Sequence, residues 1–312
     1  MEEVIRVENL TKRYGEFTAV HNISFAVKKG EIFGLLGENG AGKTTTLEII
    51  EGLRKLTAGT VTVLGHDVKT DPTSIKSKIG VQLQSSAYFS YLTLKEMLEL
   101  FASFYGKTVD AAALLHQVRL EEKAGAYVTQ LSGGQRQRFS IMASLVNNPE
   151  IVFLDEPTTG LDPLARRNLW ELIRTVRDQG KTVVLTTHYL EEAEILCDRV
   201  AIMEKGEMVA LDKTGRLIAK AEFPYALTFE AQGDIPAALE KLSRYGQVHA
   251  GEKAGHHYRV LIKKEGDLGK VIDIMRPLKV EGLALRPASL EDVFIQLTGK
   301  AIDNGDREEE RA

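Results

Sequence analysis

The chain has a single cysteine, Cys197, among 312 residues. That excludes a disulfide framework and a cysteine zinc site, and it fits a reducing cytosol. No uninterrupted apolar stretch nears the roughly 18 residues that a membrane-crossing helix needs. The opening Met1-Glu2-Glu3-Val4 lacks the basic and apolar pattern of a secretory signal. Charge of one sign is scarce as well: 40 basic and 44 acidic residues leave a formal net charge of −4. There is thus no electrostatic case for nucleic acid as the main partner. If such a protein acts on a membrane process, its partner must supply the spanning helices. The length allows more than one domain.

What is present centres on Gly34-Leu35-Leu36-Gly37-Glu38-Asn39-Gly40-Ala41-Gly42-Lys43-Thr44-Thr45. It contains G-x-x-x-x-G-K-T from Gly37 to Thr44, directly after the apolar run Ile32-Phe33-Gly34-Leu35-Leu36. A buried strand, a glycine-rich turn and a helix from Thr45 to about Leu53 make this pattern a phosphate cradle. Glycine lets the backbone curl and aim N–H groups at an anion, and the helix N-terminus adds partial positive charge. Lys43 is expected to reach the β- and γ-phosphates, and the Thr44 hydroxyl to ligate Mg²⁺. Gly37, Asn39, Gly40, Ala41, Gly42, Lys43, Thr44 and Thr45 are the candidate contacts of this loop.

Around the cradle, Val4–Val7, Ile23–Val27, Thr60–Val63 and Lys78–Val81 read as strands. Tyr88, Phe89, Tyr91, Phe101, Phe104 and Tyr105 then crowd one segment. Thr93 and Glu96 form a capping box for a helix there, and further helices are expected at about Val109–Val118 and after Leu120. Ser132-Gly133-Gly134-Gln135 is a second capping box, opening a helix to about Val146. Ile151–Leu154 and Thr182–Leu185 are short apolar runs of the kind covered on both faces. Between them Asp162 caps a helix that Gly180 closes. The alternation predicts an α/β core.

Polar groups follow these strands: Gln84, Asp155 with Glu156, and His188. In open α/β sheets, ligands bind at the carboxyl ends of strands. Asp155 is expected to help hold Mg²⁺ and Glu156 to accept a proton from attacking water. Gln84 is placed to orient that water and touch the metal, and His188 to meet the γ-phosphate or the water.

Leu131-Ser132-Gly133-Gly134-Gln135 followed by Leu154-Asp155-Glu156-Pro157 resembles the nucleotide-binding subunit of an ATP-binding-cassette (ABC) transporter. Motif order agrees over about residues 3–220, from Tyr14 through Gly37–Thr44, Gln84, Ser132–Gln135, Asp155-Glu156 and Asp162 to His188. The resemblance implies a P-loop NTPase cassette core with an antiparallel β subdomain and a helical insert at about 86–145. It implies a homodimer clasping ATP and Mg²⁺ between the cradle of one copy and the signature Ser132, Gly133, Gly134 and Gln135 of the other, with Asp162 a further nucleotide-binding candidate. Tyr14 would then stack on adenine, a buried structural tyrosine being the competing reading. It further implies a separate transmembrane permease, with this subunit cytoplasmic and peripheral on the inner face of the membrane. The alternative is a soluble cassette ATPase acting on nucleic acid or ribosomes, against which stand the single cassette and the lack of a heptad run.

From residue 221 the motifs stop. The order β-α-β-β-α-β plus a closing helix predicts a small ferredoxin-like α+β domain to about residue 300. The segment Ser289-Leu290-Glu291-Asp292-Val293-Phe294 is similar to the C-terminal extension of bacterial drug-export cassettes, including the daunorubicin-resistance type. His256 and His257 are adjacent, so on a strand they face opposite ways and cannot chelate one ion. Residues 301–312 form an acidic tail expected to be disordered.

Overall fold

The computed structural model describes residues 2–82, 88–232, 235–250 and 257–299. The chain divides into two compact units, one running to Leu211 and one from Asp212 onward. The first opens with two long paired strands, β1 (Glu3–Tyr14) and β2 (Phe17–Lys28). Burial alternates from Ile5 to Glu8 along β1, and a register shift after Val7 resets the phase and brings Leu10 inward. β3 (Ile32–Leu36) is buried at every position, and α1 (Lys43–Ile50) follows the cradle. The helix stops short of the expected Leu53, because Gly52 turns left-handed at φ 71°.

β4 (Ala58–Val63) and β5 (His66–Asp67) join the first two strands in a sheet of order β2-β1-β4-β5. Helix α1 buries Leu47, Ile49 and Ile50 in a core shared with Val20, Val61 and Val63. Phe33, Phe153 and Val184 bring the neighbouring sheet into the same core. Next come α2 (Pro72–Lys76) and β6 (Ile79–Gln82).

Helices α3 (Leu94–Ser103), α4 (Ala111–Gln117) and α5 (Gly133–Ser144) form an insert with its own core, centred on Leu98, Leu115, Phe139 and Met142. Both expected capping boxes, Thr93/Glu96 and Ser132/Gln135, are made. The helix expected after Leu120 is instead two short 3₁₀ turns, Glu121–Lys123 and Val128–Gln130. Gly125 between them and the β-branched Val128-Thr129 leave too short a run to nucleate a helix. The aromatic cluster divides. Tyr88 packs against Phe101 and Phe139, whereas Phe89, Tyr91, Phe104 and Tyr105 are exposed.

The remaining elements are β7 (Ile151–Asp155), α6 (Pro163–Asp178), β8 (Thr182–Thr187), α7 (Leu190–Leu196), β9 (Arg199–Glu204) and β10 (Glu207–Lys213). The second sheet has the order β10-β9-β3-β8-β7-β6 among the described residues. Its pairs β3/β9, β3/β8, β7/β8 and β6/β7 are parallel. Strands β7, β8 and β3 are therefore direct neighbours ending on the same edge. β9 and β10 carry little signal in the sequence, because the apolar run Val200–Met203 is too short to separate strand from helix.

In the second unit α8 (Thr214–Ala219) leads to β11 (Tyr225–Gln232), α9 (Ile235–Leu242), β12 (Gly246–Ala250) and β13 (His257–Ile262). α10 (Leu268–Met275), β14 (Lys279–Pro287) and α11 (Leu290–Thr298) complete it. The order β12-β13-β11-β14, with each of these pairings antiparallel, interleaves two β-α-β halves. Leu227, Phe229, Leu242, Val260, Ile262 and Val271 form its core. His257 is exposed and meets Glu230 at 3.1 Å; His256 and the tail at 301–312 lie outside the described residues.

Phe153 is fully buried in the strand that carries Asp155. Phe153→Ala is expected to destabilise the first unit by about 3–5 kcal/mol, read as a lower urea midpoint for its unfolding.

Candidate active site

The cradle is shaped by close backbone approaches. Gly42 caps α1 at φ 97°, and a Cβ there would lie 2.6 Å from the Ala19 carbonyl oxygen. At Gly37 a Cβ would come within 2.4 Å of the Met203 carbonyl. β9 and the turn behind it therefore buttress the loop, and Gly206 N–H donates to the Ala41 carbonyl at 3.1 Å. No side chain caps the first turn of α1. Its N–H groups are left for an anion, as a phosphate site requires.

Lys43 is buried, with Nζ donating to the carbonyls of Gly37 at 2.8 Å and Glu38 at 3.1 Å. The same ammonium lies 3.5 Å from Glu156 Oε1. Burial pulls its pKa down, against the opposing pull of the Glu156 carboxylate. One strand away, Asp155 Oδ1 accepts hydrogen bonds from Thr44 Oγ1 at 3.2 Å and from Thr186 Oγ1. Burial pushes the Asp155 carboxyl up, partly offset by those two hydroxyls. The register that places Asp155 opposite Thr186 and Leu36 opposite Thr187 brings the three strand ends level.

Glu156 has a left-handed backbone, φ 47°, which is unfavourable for a residue with a Cβ. Its N–H is held by Thr186 Oγ1 at 2.9 Å, and its Oε2 accepts from Thr159 Oγ1 at 3.2 Å. His188 Nδ1 lies 3.2 Å from the same Oε2, although it lacks the alignment of a hydrogen bond. The imidazole contact, followed by the Lys43 charge, outweighs burial and holds the Glu156 carboxyl down at about 2. Lys43 pulls in the same direction as the ring.

The structure thus brings together Lys43, Thr44, Asp155, Glu156 and His188. It does not bring Ser132–Gln135 to them. Ser132 and Gly133 are exposed, and Gln135 N–H and Ser132 Oγ bond each other at 3.3 Å in the capping box. Among the described residues no hydrogen bond or ion pair joins this segment to the cradle. Asp162 is likewise engaged locally, its Oδ1 accepting from Leu164 N at 3.0 Å and Ala165 N at 2.9 Å. Tyr14 is 41% exposed rather than buried. Arg54 Nη1 donates to its hydroxyl, and Lys12 lies over its ring at 4.7 Å. Gln84 lies outside the described residues.

Thr186 is the functional residue that sequence reasoning misses. It appears there only as part of the run before His188, yet it braces both adjacent carboxylate residues. Among the described residues no three His, Cys, Asp or Glu side chains gather into a metal cage. Mg²⁺ in phosphoryl-transfer sites uses one or two protein ligands plus phosphate oxygens. The paired Thr44 hydroxyl and Asp155 carboxylate match that requirement.

The sequence profile of the family described as ABC transporter matches residues 20–159. The Nod factor export ATP-binding protein I of Burkholderia orbicola (strain AU 1054) is 39% identical, covering 96% of this chain and 98% of its own. The linearmycin resistance ATP-binding protein LnrL of Bacillus subtilis (strain 168) is 34% identical, covering 96% and 99%. Among solved structures, a dimeric post-hydrolysis ATP-binding cassette bound to ADP and Pi superposes with a TM-score of 0.62 at 32% identity. It covers 67% of this chain and 98% of that one. An ATP-binding subunit of an ABC transporter gives a TM-score of 0.63 at 29% identity, covering 70% and 92%. With the cradle, the strand-end carboxylates and this full-length similarity in hand, the chain belongs to the ABC transporter family, as an ATP-hydrolysing subunit of the export type.

Proposed function

We propose that two copies of this chain close head to tail on two MgATP molecules, and that the cycle drives a separate membrane-spanning exporter subunit. One observation carries the reading. Lys43, Asp155, Glu156 and His188 converge, while Ser132–Gly134 present an exposed helix N-terminus with no bond to them. A second anion-binding helix end with no anion in its own chain fits a γ-phosphate held by another copy. The cassette of 32% identity, solved as a dimer bound to ADP and Pi, supports a pairing of two copies. Asp162 then serves by holding the start of α6, and Tyr14, tied by Arg54 and with Lys12 over its ring, stacks on adenine once that contact is displaced.

In the free chain Lys43 is occupied by two carbonyls and Glu156. Phosphate oxygens compete for that ammonium, and its transfer to them takes a cation away from Glu156. The carboxylate becomes a stronger base just where water must lose a proton. Glu156 accepts that proton as the water oxygen bonds to the γ-phosphorus and the bond to the ADP oxygen breaks. His188 steadies the second carboxylate oxygen, and Thr44 with Asp155 would hold Mg²⁺. When bound, Mg²⁺ neutralises charge on the β- and γ-phosphate oxygens.

Among the described residues no helix is long and apolar enough to cross a membrane. The membrane partner docks on the aromatic-rich insert, where Phe89, Tyr91, Phe104 and Tyr105 are exposed, and this contact holds the subunit on the inner face. Among the described residues from 221 onward no catalytic constellation gathers, which leaves homodimer contact, regulation or partner choice as the roles of this region. The cargo is read by the partner. Near full-length similarity to a protein named for Nod factor export and to one named for linearmycin resistance supports this reading over a soluble ATPase acting on nucleic acid.

Glu156→Gln is expected to lower kcat by about a hundred- to ten-thousand-fold while MgATP still binds and dimer accumulates. Light scattering that finds this variant monomeric with MgATP would overturn the scheme. Thr186→Val is expected to lower turnover about 10- to 100-fold with nucleotide affinity retained, because it loosens both carboxylate residues; a kcat equal to wild type refutes that bracing role. Phe104→Glu is expected to release the protein from membranes in flotation assays while soluble ATPase turnover stays unchanged. Loss of both together, or of neither, counts against docking at this surface.

A further inference from the structure

Behind the catalytic edge, α6 and α7 enclose a second polar cluster. Glu192, in the first turn of α7, is fully buried. Its Oε1 accepts from Trp170 Nε1 on α6 at 3.1 Å, and the charge of Arg166, also on α6, acts on it. The hydroxyls of Thr187 and Thr158 lie against the same carboxyl. Glu192 Oε2 and Thr158 Oγ1 do not reach full hydrogen-bond alignment, so this contact is close but loose. Burial pushes the Glu192 carboxyl up, against these donors and the Arg166 charge. In either protonation state one oxygen is left to accept from Trp170.

The two threonines bracket the residues placed at the attacking water. Thr158 stands two residues after Glu156, and Thr187 immediately before His188. Thr187 Oγ1 also accepts from the Tyr189 amide at 2.9 Å, so one hydroxyl spans the histidine in the chain. Tyr189 supplies a second link. Its ring centre lies 4.2 Å from that of His188, and the Arg166 guanidinium lies 4.3 Å from it. Arg166 and Tyr189 are both buried, where a cation–π contact is strongest. Stability alone does not call for such a cluster, since apolar side chains of similar volume often match or better buried charge. What the cluster adds is geometry. Glu156 and His188 follow different strands, and their 3.2 Å contact needs both segments held at one spacing.

We propose that Glu192 is a positioning residue for hydrolysis: it ties the chain after Glu156 and the chain before His188 to α6, while Arg166 sets the histidine ring through Tyr189. The inference rests on the roles of Glu156 and His188 proposed above. Glu192 reaches the reaction only through these neighbours. Its loss shifts the histidine relative to Glu156 and leaves the cradle as it is, so the chemical step slows while nucleotide binding stays.

The test is single-turnover hydrolysis of radiolabelled ATP by the full chain, a measurement that still reads slow variants, beside equilibrium binding of MgATP. Glu192→Met keeps the bulk of the side chain and removes its acceptor oxygens. It is expected to lower the hydrolysis rate about 10- to 100-fold while the Kd for MgATP stays within about twofold. In a His188→Ala background the same substitution is expected to cost less than about twofold, because the group it positions is gone. Thr158→Val removes a hydroxyl without an aligned partner and so costs little stability; it is expected to slow hydrolysis about three- to tenfold. A wild-type rate in folded Glu192→Met, or in Thr158→Val where Glu192→Met does not fold, overturns the proposal. So does an equal loss with and without His188, which marks a purely structural role. A wild-type rate in His188→Ala itself overturns instead the reading of His188 on which the inference rests.

Discussion

One buried ammonium holds the catalytic edge of this protein together. Adjacent carboxylate residues end β7, and both are largely removed from water. Asp155 answers to burial, with its carboxyl pushed up and restrained by two threonine hydroxyls. Glu156 answers to charge, with Lys43 at 3.5 Å and His188 at 3.2 Å. Two neighbours in sequence thus acquire opposite electrostatic characters, one carboxyl pushed up by burial and the other held down by its partners. The difference arises from strand order. Because β8 lies between β3 and β7, the cradle lysine and the histidine both reach the same carboxylate.

The parts of this site that can be read from the sequence are those whose geometry is local. The cradle is one turn and one helix start, and each capping box spans a few residues, so pattern and structure coincide at Gly37–Thr44, Thr93 and Ser132. Apolar runs mark β3, β7 and β8 because strands covered on both faces admit little else. What stays hidden depends on tertiary register. Nothing in the run Thr186-Thr187-His188 says that the first hydroxyl braces Asp155 and the Glu156 amide. β9, whose Met203 carbonyl crowds Gly37, follows a run too short to classify. Glu51 looks in the sequence like any acid near a helix end; only the surrounding fold shows that its carboxylate is enclosed.

The left-handed Glu156 fits the same account. A non-glycine residue at φ 47° is uncommon and persists where its surroundings over-determine it. Here they do: the amide is held by Thr186, and the carboxylate is contacted by Thr159, Lys43 and His188. The backbone bend turns the side chain off the axis of β7 and toward the cradle. An extended strand would have alternated Asp155 and Glu156 to opposite faces, leaving only one of them near the phosphates.

Helix α1 unites the two ends of the molecule's logic. At about 1.5 Å per residue its eight residues span roughly 12 Å between the cradle and Glu51. Its first turn has donors with no side-chain cap, and Glu51 just beyond its last turn adds an unmet acceptor. The dipole of the helix favours an anion at its start and works against a carboxylate at its end, where burial pushes Glu51 up to about 8. Leu47, Ile49 and Ile50 are packed without exposed surface between two sheets, so the helix moves with its surroundings or not at all. The helix that carries Lys43 is thus fixed on both sides by the core.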